Sequence, residues 1–340
     1  MKKMILLAML FCRQLSHAQD NLVVDVHEGV SLMSTIQYLS GQLSNSTSSS
    51  YKTDVKKYFL NWRAHPAVAD IFMKDKVYPD LTELGFLFYN FPDIKMYPLP
   101  ESMNWYKYIP KPELQRYMEQ CMKFYKETKF HRFHQSHADE YKQWASAFTA
   151  TMQKPVSIFN ATFGEELKWY ICLEPLNDWG AHTYTKKIGP GFKNRITYQQ
   201  GYFGDKDSLG KMIFRANVYD LAWHEGTHAI TDSLLVKYKE DIAALATLMK
   251  QDQSLKQQNI NDWQHYFDEL LARSVSIALF KKHLKPASYE QMVKMETNRG
   301  FIHVNDVADV IVEKFLAEGS PKDFSLVLPF IFDMLKEKYK

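Results

Sequence analysis

The sequence predicts an α+β fold, mostly helical, with a small mixed sheet in the middle of the chain. Two observations carry this. Apolar residues recur at helical spacing through the first 153 residues and again from about 215 to the end. Between them lie three short runs rich in β-branched and aromatic residues. A third observation bounds the domain count. The 340 residues hold no internal repeat and no Pro/Gly/Ser linker. They read as one unit over 19–340, with a helical half at about 19–153 and the sheet plus later helices at about 154–340.

The first residues read as an export leader. Lys2 and Lys3 precede an unbroken apolar run from Met4 to Phe11, and Ser16-His17-Ala18 supplies a small-x-small cleavage site. The chain is therefore expected outside the cytoplasm, periplasmic or extracellular, after cleavage near Ala18. The run is too short to span a bilayer, which takes about 20 residues, so no stable membrane insertion is expected afterwards. Cleavage removes Lys2, Lys3 and Arg13. The 42 basic residues then become 39 against 39 acidic ones, and the net charge falls from +3 to 0. A neutral chain has no bulk charge with which to hold nucleic acid. Two cysteines, Cys121 and Cys172, stay behind, too few for a disulfide framework; buried thiols are favoured over a single bond between them.

Val26, Val30, Leu32, Met33, Ile36, Leu39 and Leu43 set a helix over 26–43, and the Ser/Asn/Thr run at 44–50 is a loop. From 51 to 152 helices are punctuated by Pro66, Pro79, Pro92, Pro98, Pro100, Pro110 and Pro112, with good helices at 113–127 and 135–152. Val156–Phe159, Lys168–Leu173 and Arg195–Tyr198 read as strands. Gly180, Gly189, Pro190 and Gly191 mark a loop between the last two. Helices return at about 215–235, 240–250, 262–282, 288–297, 305–318 and 323–339.

The sharpest signal is His224-Glu225-Gly226-Thr227-His228. On a helix, positions i and i+4 share a face, so two imidazoles can meet one metal ion. Zinc lowers the pKa of its water to about 7, and Glu225, next to the first ligand, is the candidate base for that water. This is the HExxH arrangement. Val218, Leu221, Ala222, Ala229, Ile230, Leu234 and Leu235 put it in a mostly buried helix, where bare His and Glu are costly without a partner.

A catalytic zinc site needs a third protein ligand. Phe267, Leu270, Leu271, Ser274 and Ala278 trace an inward face, and Glu269 sits among them. Glu269 is the first choice; Asp268 and His265 compete, and Glu240 and Asp241 are weaker. An oxyanion donor would come from His303, Tyr266, His182 or Tyr184, with His303 first because it follows Gly300 in a loop. Asp232, one turn after His228, is either an orienting partner for a ligand His or a solvated residue. Arg195–Gln200 is a candidate edge strand for an extended peptide, or an ordinary strand of the sheet.

The segment His224 to Asp232 resembles the zinc helix of thermolysin-like gluzincins, in which a Glu on a following helix completes the site. The 41 residues from His228 to Glu269 exceed the thermolysin spacing, so the likeness is to the site alone. A wider resemblance is to the DUF4932 family of exported bacterial proteins, grouped with gluzincin-like peptidases. It rests on Tyr58-Phe59 through His65-Pro66-Ala67-Val68, on Trp169 to Asn177, on the HExxH helix with Glu269 to Arg273, and on Gly300 to His303. The resemblance implies a zincin-like fold and Glu269 as the third ligand beside His224 and His228, and it brings no established substrate. From the chemistry of the motif, the expected activity is that of a Zn2+-dependent metallopeptidase acting on a peptide or protein. A zincin-fold metal-binding protein without turnover is the competing reading, and a non-metal helical protein carrying a chance motif is a third.

Overall fold

The computed structural model describes residues 21–43, 48–69, 79–101, 106, 109–178, 180–183, 195–201, 218–249, 253–284, 286–320 and 323–339. The expected leader at 1–18 and the oxyanion candidate Tyr184 lie outside them. The chain is α+β, mostly helical with a small mixed sheet. Its contacts divide it into two compact units, Met1–Thr151 with Lys168–Ala216, and Met152–Leu167 with Asn217–Lys340.

The first unit holds strands β1 (Leu22–Asp25), β2 (Phe88–Tyr89), β3 (Lys95–Met96), β4 (Lys168–Glu174), β5 (Ala181–Thr183) and β6 (Arg195–Gly201). Its helices are α1 (Glu28–Ser40), α2 (Ser50–Tyr58), α3 (Pro66–Ala69), α4 (Lys111–Glu127), α5 (Phe130–Ser136) and most of α6 (Ala138–Phe163). The main sheet runs β1-β4-β6-β5, parallel across its first three strands and antiparallel at β5. β4 and β6 are buried along nearly their whole length, as central parallel strands must be.

Of the two roles expected for Arg195–Gln200, that placement favours the ordinary strand: β4 pairs β6 along its whole length, and β5 covers its other side from Tyr198 to Gln200. Among the described residues the edges are β1 and the three-residue β5. β1 itself was not anticipated, and it joins the N-terminal segment to the sheet by pairing Leu22 with Trp169 through Asp25 with Cys172. The sheet thus groups with the N-terminal helices, not with the helices that follow it.

Two features hold this unit. Glu174, 1% exposed, accepts from Ser34 (3.0 Å), Gln199 (2.9 Å) and Asn177 (2.8 Å), which satisfies a buried carboxylate. Gly29 of α1 meets Gly85 of the 3-10 stretch Pro79–Leu87 backbone to backbone. A Cβ on Gly29 would lie 2.1 Å from the Gly85 carbonyl oxygen, so only glycine lets the two segments cross this closely. Cys121 and Cys172 are both buried, and no disulfide joins them.

The expected strand Val156–Phe159 is helical. It belongs to α6, which runs through Pro155 and ends in the second unit. Met152, Pro155, Val156, Phe159 and Asn160 are buried, the i, i+3, i+4, i+7, i+8 stripe of a helix.

The second unit is otherwise helical: α7 (Val218–Lys237), α8 (Lys239–Ala243), α9 (Gln253–Gln257), α10 (Trp263–His283), α11 (Pro286–Asn298), α12 (Val304–Lys314) and α13 (Leu328–Tyr339). α10 is capped by Asp262, whose carboxylate accepts from the His265 amide at 2.9 Å. From Leu270 to Phe280 it is buried almost all round, and it packs against α7 and α12. Among the described residues no helix is long and apolar enough to cross a membrane.

Candidate metal centre

α7 is fixed on either side of the motif. The Trp223 indole, fully buried, donates to the Pro155 carbonyl at 2.9 Å and packs edge-on against Phe280 of α10, ring centroids 5.0 Å apart. Thr227 and Thr231 return their hydroxyls to carbonyls one turn back, at 2.7 and 2.9 Å. These anchors leave His224 and His228 on the face that α10 covers.

Three side chains converge there. His224 Nε2 and His228 Nε2 are 3.1 Å apart. Glu269 Oε1 is 3.5 Å from His228 Nε2, and Glu269 Oε2 is 3.6 Å from His224 Nε2. A tetrahedral zinc with bonds of about 2.0–2.1 Å separates its ligand atoms by about 3.3 Å. The donor set of two imidazoles and a carboxylate therefore fits zinc in kind, and the closest contact between each pair of side chains is near that spacing. Among the described residues this is the group of His, Cys, Asp and Glu side chains able to hold a metal. Glu225 is buried on the same helix, 4% exposed.

Neighbouring side chains hold His228 and Glu269 in place. Asp268 Oδ1 lies 3.0 Å from His228 Nδ1, which directs Nε2 toward the other two residues. Arg273, one turn along α10, donates to Glu269 Oε2 at 2.7 Å and to Glu296 Oε2 at 2.6 Å. Arg299 donates to the other Glu296 oxygen at 2.9 Å. The Arg273 guanidinium lies over the Phe301 ring, 4.2 Å from its centroid. Burial drives His224 down to about 3, against the pull of Glu269. Burial also disfavours charge on His228, but Asp268 and Glu269 outweigh it and lift this imidazole well above its ordinary value. Burial would raise Glu269; the imidazoles and Arg273 hold it well below the carboxylate range.

None of the other candidates is one of the three converging residues. His303 is buried at the start of α12 against Tyr339, ring centroids 4.1 Å apart, and is not one of the three converging residues. Tyr266 stacks on Phe301 and gives its hydroxyl to the Gly300 carbonyl at 3.3 Å. His182 lies in β5 of the first unit, 2.7 Å from Gln199 Oε1. His265, Glu240, Asp241 and Asp232 are exposed. The orienting role weighed for Asp232 belongs to Asp268, which had been read as a competing ligand.

Residues 107–316 match the family described as a domain of unknown function, DUF4932. The chain belongs to this family. No curated protein and no solved structure matches it. The DUF4932 match spans α7 and α10, so the triad, Glu225, Asp268 and Arg273 all fall within it, while α13 lies beyond its end. Sequence reasoning missed Arg273 as a partner of Glu269, although the i, i+4 spacing of the two on one helix was a readable signal.

Proposed function

We propose that this DUF4932 chain is a zinc-dependent hydrolase of the HExxH, gluzincin-like type, exported and acting on peptide bonds. What supports the reading is the convergence of three side chains: His224 Nε2 lies 3.1 Å from His228 Nε2, and the two Glu269 oxygens lie 3.5 Å from His228 Nε2 and 3.6 Å from His224 Nε2. When bound, zinc supplies a Lewis acid and a water of lowered pKa. The protein supplies the rest. His224 and His228 each offer an Nε2 lone pair, the second held in that tautomer by Asp268 at Nδ1. Glu225 is the base: its carboxylate accepts a proton from the attacking water and returns it to the departing amine. A zincin-like arrangement of α7 and α10 is part of this reading, as is a leader removed near Ala18.

The test is metal content and turnover together. The wild-type chain should hold about one zinc, His228→Ala and Glu269→Ala should lose it, and Glu225→Gln should keep it. Peptide hydrolysis by Glu225→Gln should fall by about 10²- to 10⁴-fold. A wild-type chain that takes up no zinc would remove the enzyme reading. A chain that binds zinc at the triad but turns over no amide, ester or cell-wall peptide would point instead to a metal-dependent binding role.

A further inference from the structure

The position of Arg273 goes beyond the ligand set. Glu269 has two oxygens facing the histidines, one 3.5 Å from His228 and the other 3.6 Å from His224. Either could ligate, and both could do so at once. Arg273 breaks this symmetry, because its Nη2 sits 2.7 Å from Oε2 alone. The guanidinium cannot readily leave that oxygen. Its Nη1 is tied to Glu296 at 2.6 Å, Glu296 is 3% exposed and tied in turn to Arg299, and the flat face rests on Phe301. A planar fork held at two corners and on one face is a rigid clamp, and a lysine could not reproduce it.

Resting on the metal-centre reading above, we propose that Arg273 is a positioning residue that makes Glu269 a one-oxygen ligand. With Oε2 held by the guanidinium, Oε1 is the oxygen offered to the metal, and the fourth position stays open for water. Freed from the clamp, the carboxylate would turn both oxygens to the ion and crowd that position. Arg273 also balances the buried Glu269 charge when no metal is present, so the triad is set before the ion arrives.

Cobalt substitution tests this without any substrate, since the visible absorption of Co2+ is strong in four-coordinate sites and weak in sites with more ligands. Wild-type protein loaded with Co2+ should show the strong band. Arg273→Lys should lose much of that intensity, and its zinc affinity in a chelator competition should weaken by about 10- to 100-fold. Glu296→Gln, which leaves Arg273 in place but loosens its second anchor, should move the band the same way. It carries the test if Arg273→Lys does not fold, as judged by circular dichroism. A folded variant whose band and zinc affinity equal those of the wild type would overturn the clamp while leaving the metal centre intact. A wild-type chain that binds neither Co2+ nor Zn2+ would overturn the metal reading, and the clamp with it.

Discussion

Asp268 decides which nitrogen of His228 can meet a metal, because its carboxylate holds Nδ1 and leaves Nε2 facing His224 and Glu269. Asp268→Asn removes the charge from that contact, and the zinc affinity should fall by about 10- to 100-fold with the fold retained; a chelator titration checks it. Asp25 makes a different prediction. It lies at the end of β1, and burial pushes its carboxyl up to about 6 although the Tyr170 hydroxyl donates to it at 2.5 Å. Below pH about 4 the acid is protonated folded or unfolded and costs nothing. Between there and pH 6 the unfolded chain releases the proton that the folded chain keeps, so stability falls as pH rises and the full cost stands above 6. Asp25→Asn keeps an acceptor for Tyr170 and should stabilise by about 1–3 kcal/mol at pH 7 but hardly at all at pH 3.5. Urea unfolding at the two pH values is the measurement, and equal gains at both would refute the account. Among the site residues, Glu269 was legible because an acid on an apolar helix face needs a cation. The task of Asp268 was not, since it depends on which side of an imidazole the neighbouring helix presents.

Helices were easier to read than strands. α1, α4, α7, α10, α11 and α13 lie near their expected ranges because each buries a continuous stripe over several turns. Val156–Phe159 was misread because β-branched and aromatic residues weigh toward strand over four positions. The helical stripe from Met152 to Asn160 shows only in a longer window. β1, four residues long, offers too little pattern to be found. The crossing of α1 over the 79–87 segment was equally hidden, for nothing in the sequence pairs Gly29 with Gly85. Gly85→Ala should cost at least about 1–3 kcal/mol by overpacking, since the added carbon would meet the Gly29 carbonyl and backbone, not a yielding side chain. Trp223→Phe keeps the packing on Phe280 but leaves the Pro155 carbonyl without its indole donor, at a cost of about 1 kcal/mol. Thermal unfolding of the two variants beside the wild type measures both.

At the scale of the molecule, the α+β class and the small central sheet were legible from the change in residue character along the chain. The grouping of the sheet was not, because it depends on a pairing between residues near 22 and near 169. The triad, Glu225, Asp268 and Arg273 all belong to the second unit. Zinc should therefore slow amide hydrogen exchange chiefly in α7 and α10 and leave β4 and β6 little changed; equal protection of both units would contradict a metal site confined to the second. The parallel pairing of β1 with β4 bears on how the chain acquires its shape. Residues 22–25 leave the ribosome long before their partners at 168–174, and a parallel ladder of that sequence separation cannot close until both are present. The early strand must wait with its ladder unfilled, and in that interval it is open to pairing with another chain.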